Sequence, residues 1–127
     1  MGRAKIISIS RKTKIVLKKH NSNNYISDLI KTKVKVETEY LSRIGLDFLL
    51  LDDPPIRFDK DLKELSFCPQ DIDGEDKFEV EWKVKKVRQF QSPTIVLIKI
   101  MTKDMDSPDV TRFRRKNITI EVQDEAS

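Results

Sequence analysis

The sequence has very few of the residues that build catalytic and metal sites. It contains one cysteine, Cys68, and one histidine, His20. A single cysteine excludes an intramolecular disulfide and a cysteine-based metal cluster, and a single histidine excludes most zinc sites and histidine-based triads. A catalytic Cys68–His20 pair would require the two residues to meet in the fold, and a buried, inert thiol is a more common role for a lone cysteine.

Glycines and long apolar runs are also scarce. The three glycines, Gly2, Gly45 and Gly74, lie too far apart to form a glycine-rich phosphate loop. The longest apolar run, 48–51, has four residues, far fewer than a membrane span needs. The first 14 residues alternate apolar and basic side chains without a continuous apolar stretch, so we expect no signal peptide. We therefore expect a cytoplasmic protein that does not enter a membrane.

Charged residues, in contrast, are abundant. They make up 36% of the 127 residues, and such a composition resembles the charge-rich surfaces of thermophile proteins. The net charge of +4 is unevenly distributed: residues 1–46 hold 11 Lys and Arg against three acidic residues, whereas residues 47–127 hold 14 against 18. This asymmetry fits either a nucleic-acid or acidic-partner surface or, more simply, the solvated outer faces of the first strands.

Alternation of apolar and polar residues with a period of two predicts most of the secondary structure. Segments 33–40, 78–85 and 117–122 each place apolar side chains on one face, and 94–103 is apolar enough to be a central strand covered on both faces. The predicted inward residues are Val34, Val36, Thr38 and Tyr40, then Phe78, Val80, Trp82 and Val84, and finally Ile118, Ile120 and Val122.

Weaker strand patterns occupy 4–9, 14–18, 46–51 and 62–67, and turn residues at 52–55, 68–74 and 91–93 separate the strands. The spacing of apolar residues over 24–31 fits a short helix or a covered loop. Many short strands with regularly spaced turns predict one all-β, mainly antiparallel domain over residues 1–127. We expect about seven strands, an exposed connection at 105–115 and a frayed end at 124–127.

Residues 33–101 also resemble a known kind of module. Segment 34–38 is similar to its opening strand, 46–50 followed by 52–55 to its next strand and turn, and 92–97 to the hairpin partner that follows the tryptophan-bearing strand. The best match is the polar, glycine-containing turn 70–76 followed by a strand that carries Trp82. These features resemble the immunoglobulin-like β-sandwich modules of the CARDB/NEW3 type, although 41–45 replaces their usual Asn-Thr-Gly strand end. The resemblance implies adhesion, scaffolding or partner binding, without catalytic residues.

Two acidic segments are candidate cation sites. Segment 71–76 concentrates four carboxylates but lacks the spacing of an EF-hand loop, and Asp104, Asp106 and Asp109 form a second acidic loop. Solvated turns explain both segments. Every acid is predicted to lie in a turn or on a polar strand face, so no carboxyl with a raised pKa is expected for acid–base catalysis. We expect no enzyme activity, no metal and no cofactor.

Basic clusters are the strongest candidates for a binding surface. The first comprises Arg11, Lys12, Lys14, Lys18, Lys19 and His20; the second, expected on the outer side of the Trp82 strand, comprises Lys83, Lys85, Lys86 and Arg88; the third comprises Arg112, Phe113, Arg114, Arg115 and Lys116. Basic residues with an interleaved aromatic can bind phosphates and stack bases. Lysines on strand faces and edges also prevent aggregation.

The sequence therefore supports two hypotheses. The first is a non-enzymatic protein-interaction or assembly module that binds a protein partner or self-associates, with an edge strand as one means of binding. The second is a small basic β domain that binds nucleic acid. We see no small-molecule substrate.

Overall fold

The computed structural model describes residues 4–21, 24–59, 69–106 and 115–125, and in these ranges the chain forms eleven β-strands and no helix. The strands are β1 Lys5–Ser10, β2 Lys14–Asn21, β3 Asn24–Ser27, β4 Ile30–Glu37, β5 Ser42–Leu50, β6 Ile56–Phe58, β7 Gln70–Ile72, β8 Glu75–Trp82, β9 Val84–Lys86, β10 Thr94–Asp104 and β11 Arg115–Asp124. Across the described part of the chain, no helix has the length and apolar character to cross a membrane.

The strands form two sheets that face each other. The smaller sheet has the order β1-β4-β8, and the larger has the order β6-β9-β3-β2-β11-β10-β5-β7. Each pairing in the described residues is antiparallel except that of β2 with β11, which is parallel. In chain order, β1, β4 and β8 correspond to strands A, B and E of an immunoglobulin sandwich, and β5, β10 and β11 to strands C, F and G. The fold is an all-β, immunoglobulin-like sandwich, as the sequence predicts.

The expected number of about seven strands is too low because the chain changes sheets partway along three stretches. In each of the pairs β1–β2, β3–β4 and β8–β9, the first strand belongs to one sheet and the second to the other. Each crossing divides one long stretch of extended chain into two strands.

Segment 24–31 shows how such a crossing misleads sequence analysis. The expected short helix or covered loop is wrong, since this segment contains β3 and the start of β4. Ser27 is a buried residue of the larger sheet, and Ile30 is a buried residue of the smaller sheet. The chain crosses from one sheet to the other at Asp28 and Leu29. The apolar residues that suggested a helix are divided between the two strands, with Tyr25 and Ile26 in β3, Leu29 at the crossing and Ile30 in β4, and their spacing only imitates a helical period.

The strongly alternating segments are confirmed as strands. The predicted inward residues of β4, β8, β9 and β11 are all buried. Tyr40 is the exception, with 56% of its surface exposed, because β4 ends at Glu37 and the chain bends before reaching it.

Segment 94–103 corresponds to β10, which is central, between β11 and β5. The expectation that both of its faces are covered is wrong. Val96, Ile98 and Ile100 are buried against the smaller sheet, but Ile95 on the opposite face is 60% exposed and Leu97 is half-buried. The apolar run is long because this outward face also carries large aliphatic side chains.

The weaker patterns at 4–9, 14–18 and 46–51 correspond to β1, β2 and β5, although β5 begins earlier, at Ser42. The fourth pattern, 62–67, lies outside the described residues, as does most of the 105–115 connection. Gly74, in the turn between β7 and β8, has a φ of 78° that glycine adopts without strain.

Trp82 joins the two sheets. It is 1% exposed on β8, and its ring makes edge contacts with Phe48 of β5 and Phe58 of β6 at centroid distances of 6.2 and 5.6 Å. Its indole Nε1–H donates a hydrogen bond of 2.9 Å to Thr32 Oγ1 on β4. Because the ring packs on one sheet and its N–H is bound to the other, Trp82 fixes how the sheets face each other.

Candidate interaction surfaces

The fold brings part of the first two basic clusters onto one face of the larger sheet. β2 pairs with β3, β3 with β9 and β9 with β6. The ladder aligns Lys18, Ile26, Lys85 and Arg57 in one row across these four strands, with outward side chains. Arg57 was not predicted from the sequence, because only the pairing of β6 with β9 places it in this row.

An acidic residue lies among these lysines. Asp28 Oδ2 accepts a hydrogen bond from Lys18 Nζ at 2.9 Å, beside a groove of about 150 Å³ that Lys12 also lines. The hydrogen bond from Lys18, followed by its charge, holds the pKa of Asp28 below its usual value, and Lys12 and Lys83 lower it further. Conversely, the hydrogen bond and charge of Asp28 raise the pKa of Lys18. Asp28 therefore cancels part of the positive charge of this face.

Other acids neutralise more of the basic residues. Lys14 Nζ lies 3.8 Å from Glu121, and Arg88 lies 3.5 Å from Asp53. Arg11 points toward the β11 backbone, where its Nη2 donates to the Thr119 carbonyl at 3.5 Å. Among the described residues, the exposed cations of this face that form no ion pair are Lys12, Arg57 and Lys85. Lys83 forms no ion pair either but is half-buried, and Lys19 lies on the opposite side of β2 from Lys18.

The described part of the third cluster lies away from this face. Arg112, Phe113 and Arg114 lie outside the described residues. Arg115 begins β11, whereas Lys14 is opposite Glu121, six residues further along that strand. At 3.3 Å per residue the separation is roughly 20 Å.

Lys86 and Asp124 correct two expectations. Lys86 was expected on the outer side of its strand and Asp124 in a frayed terminus, but they form an ion pair in the interior, with side chains 8% and 1% exposed. Asp124 is the last residue of β11, and the ring of Tyr25 lies 5.0 Å from Lys86 Nζ. The expectation that every acid lies in a turn or on a polar face is therefore wrong. No local pattern reveals the pair, because 38 residues separate its members.

Two of the sequence-derived candidates for chemistry, Cys68 and Asp109, lie outside the described residues. His20 is exposed near the end of β2. In the ranges that the structure describes, no three His, Cys, Asp or Glu side chains are grouped to hold a metal ion. The acidic segment 71–76 forms β7, the turn at Gly74 and the start of β8.

The sheet edges form a second candidate surface. β6 and β7, the edges of the larger sheet, have three residues each, and short edge strands resist pairing with other chains. β8, one edge of the smaller sheet, is protected by five charged residues: Glu75, Asp76, Lys77, Glu79 and Glu81. β1, the opposite edge, is uncharged from Ile6 to Ser10, and within the described residues it pairs only with β4.

A bulge interrupts this edge near its start. The pairing of β1 with β4 shifts between Ile6 and Ser8, so Ile7 has no partner in the ladder and is 36% exposed. Bulges are one device that limits edge pairing. The regular part of the open edge is therefore 8–10, and an added strand would have to match the bulge.

Comparisons with known proteins identify no family for the chain. No family model and no curated protein matches it. A FixG-related protein from Vibrio parahaemolyticus is similar in structure, with 11% identity and a TM-score of 0.49 over 94% of this chain and 95% of that chain. The ASH / PapD-like domain of human CEP192 (PapD-like domain 7) has 7% identity and a TM-score of 0.46 over 91% and 84% of the two chains. These values are too low to support an inference about function, and the assignment of an immunoglobulin-like sandwich depends on the strand topology.

Proposed function

We propose that the chain is a non-enzymatic protein-interaction module that binds an extended segment of a partner along β1. The observation that carries this proposal is the β1 edge, which is uncharged from Ile6 to Ser10, in contrast to the short or charged edges formed by β6, β7 and β8. An extended segment added to such an edge gains main-chain hydrogen bonds for affinity, and its alternate side chains provide specificity.

The composition supports the non-enzymatic part of the proposal. With one cysteine, one histidine and three glycines, the sequence has few of the residues that form the common catalytic and nucleotide-binding sites. Membership of the CARDB/NEW3 type is a finer proposal of the same kind, supported by the match over residues 33–101, and it agrees with a role in scaffolding or partner binding.

A matched pair of variants tests the β1 edge. Random peptides displayed on phage are selected on the full chain, and their affinities are then measured for Ile7→Lys and Val16→Lys. Ile7 and Val16 are 36% and 40% exposed, but Ile7 lies on the edge and Val16 lies in β2, inside the larger sheet. We expect Ile7→Lys to weaken binding at least about tenfold, because a lysine protects an edge, and Val16→Lys to leave binding unchanged. Equal affinities for the two variants would contradict the proposal.

The row Lys18, Lys85 and Arg57 supports a second candidate function, nucleic-acid binding. Three exposed cations of this face, Lys12, Arg57 and Lys85, have no ion pair in the described residues, so the face has a residual positive charge. Against it, Asp28 lies within the face and Arg115 lies roughly 20 Å away along β11.

Light scattering after gel filtration, with and without a mixed-sequence oligonucleotide, separates the two candidates. The interaction-module proposal predicts an unchanged mass at both low and high salt. A complex that is lost on adding salt, and lost in the variant Arg57→Glu with Lys85→Glu, would favour nucleic-acid binding, because phosphate contacts weaken steeply with salt.

A further inference from the structure

The outer face of the smaller sheet has a regular order of charge. Its central strand β4 presents Lys31, Lys33 and Lys35, and β8 presents Glu79 and Glu81 opposite the first two of them. β1 on the other side presents only serines in its regular part, Ser8 opposite Lys35 and Ser10 opposite Lys33. From β1 to β8 the face is therefore neutral, then basic, then mainly acidic, with Lys77 of β8 opposite Lys35.

The two serines leave the lysines accessible from the β1 edge. A depression of about 430 Å³ is lined by Ser8, Ser10, Lys33 and Lys35, and Glu75, Asp76 and Lys77 of β8 line its far side. Lys35 Nζ lies 3.2 Å from Glu75, with 48% of its side chain exposed. Lys33 forms no ion pair with any described residue, and Glu79 across from it is paired with Lys77 at 3.5 Å. Lys33, a cation without an ion pair in the described residues, therefore lies on the strand next to Ser10, whose side chain is small and neutral.

A strand added to β1 would place alternate side chains beside Ser8 and Ser10. Such side chains are two strand spacings from β4, about 10 Å, a distance that a lysine and a glutamate together span. A carboxylate at these positions would reach Lys33 and Lys35 over the serines. A basic side chain there would face the same two lysines without a counter-charge.

The inward side of β1 specifies the intervening residues of the partner. Ile6 and Ile9 lie opposite Val36 and Val34, which are fully buried, but are themselves only partly buried against the core. Apolar side chains on an added strand would cover these isoleucines and remove more of their surface from water.

From these two sides we infer that the partner segment of β1 is an extended stretch in which acidic and apolar residues alternate, the acidic ones facing Lys33 and Lys35. This inference depends on the proposed function, since it names the partner chemistry of the same edge. A second copy of this chain fits less well, because β1 paired with β1 would place serine and isoleucine at the edge and supply no carboxylate to Lys33.

Three synthetic peptides test the inference on the full chain. Each has nine residues with capped ends, and valine alternates with glutamate, serine or lysine. The alternation of residue types is the same when each peptide is read from either end. The test therefore does not depend on whether the added strand is parallel or antiparallel to β1. Binding is measured by NMR titration, which also locates each peptide on the protein.

We expect the glutamate peptide to bind at β1 about tenfold more tightly than the serine peptide, and the lysine peptide to bind most weakly, with the differences shrinking as salt is added. The variant Lys33→Glu with Lys35→Glu should reverse the order of the charged peptides, whereas Lys85→Glu, on the other sheet, should leave it unchanged. Native Trp82 fluorescence reports that each variant is folded.

The outcomes separate the two proposals. Equal binding of all three peptides at β1 would contradict the inference that the partner segment is acidic, but it would still support β1 as the docking edge. Binding elsewhere, or no binding of any peptide, would overturn both.

Discussion

Replacing Trp82 with alanine is expected to lower the free energy of unfolding by about 3–5 kcal/mol, as large-to-small changes at buried aromatic positions do. The change removes the ring contacts with Phe48 and Phe58 and leaves Thr32 Oγ1, in a residue 1% exposed, without its donor. Urea unfolding followed by circular dichroism measures the loss, since Trp82 is the only tryptophan and the variant has no indole fluorescence.

Trp82→Phe is the matched control. It keeps an aromatic ring in the same place but removes the N–H donor, so we expect a smaller loss, about 1–3 kcal/mol. In the wild-type protein, the emission of Trp82 should be blue-shifted in the native state and move to the red on unfolding. A solvent-exposed native spectrum, or a loss below about 1 kcal/mol for Trp82→Ala, would contradict the central position of this residue.

The second large effect is expected at the interior ion pair. Asp124→Ala removes the carboxylate that pairs with Lys86, and it leaves an ammonium group on a side chain that is 8% exposed. Removing one partner of a buried pair typically costs about 3–5 kcal/mol, because the remaining charge has neither water nor a counter-ion. The Tyr25 ring, 5.0 Å from Lys86 Nζ, offsets only part of that cost.

Two controls separate burial of charge from loss of a contact. The double variant Lys86→Met with Asp124→Leu should recover most of the lost stability, because no unpaired charge stays in the interior. Asp71→Ala removes an exposed pair with Arg43, 3.9 Å apart, and should change the free energy of unfolding by about 1 kcal/mol or less. Equal effects of Asp124→Ala and Asp71→Ala in chemical denaturation would show that the Lys86–Asp124 pair is not buried.

Local alternation was sufficient to predict the strands that have one buried face. In β8, each inward residue is followed by a charged one, so both the strand and the burial of Trp82 follow from the sequence. The same reasoning failed where the chain changes sheets: at Asp28 and Leu29 the period is interrupted, and a strand crossing resembled a helical turn.

The candidate surfaces depend on contacts between distant residues, which alternation does not encode. Lys18 and Lys85 were identified as basic positions, but their alignment with Arg57 arises from the pairing of four strands. Likewise, the 4–9 pattern predicted a strand but not its place at an edge. That place follows from β4 pairing with β1 on one side and β8 on the other.

Amide hydrogen exchange of β1, with and without a peptide selected on the full chain, tests the docking edge most directly. Strand amides that lack a hydrogen-bond partner exchange quickly, and pairing with an added strand protects them. We predict that amides of 8–10 pointing away from β4 exchange rapidly in the protein alone and become protected when the peptide is bound, while β4 and β8 change little. Slow exchange of all β1 amides in the protein alone, or protection confined to another strand, would contradict the proposal that β1 is the docking edge.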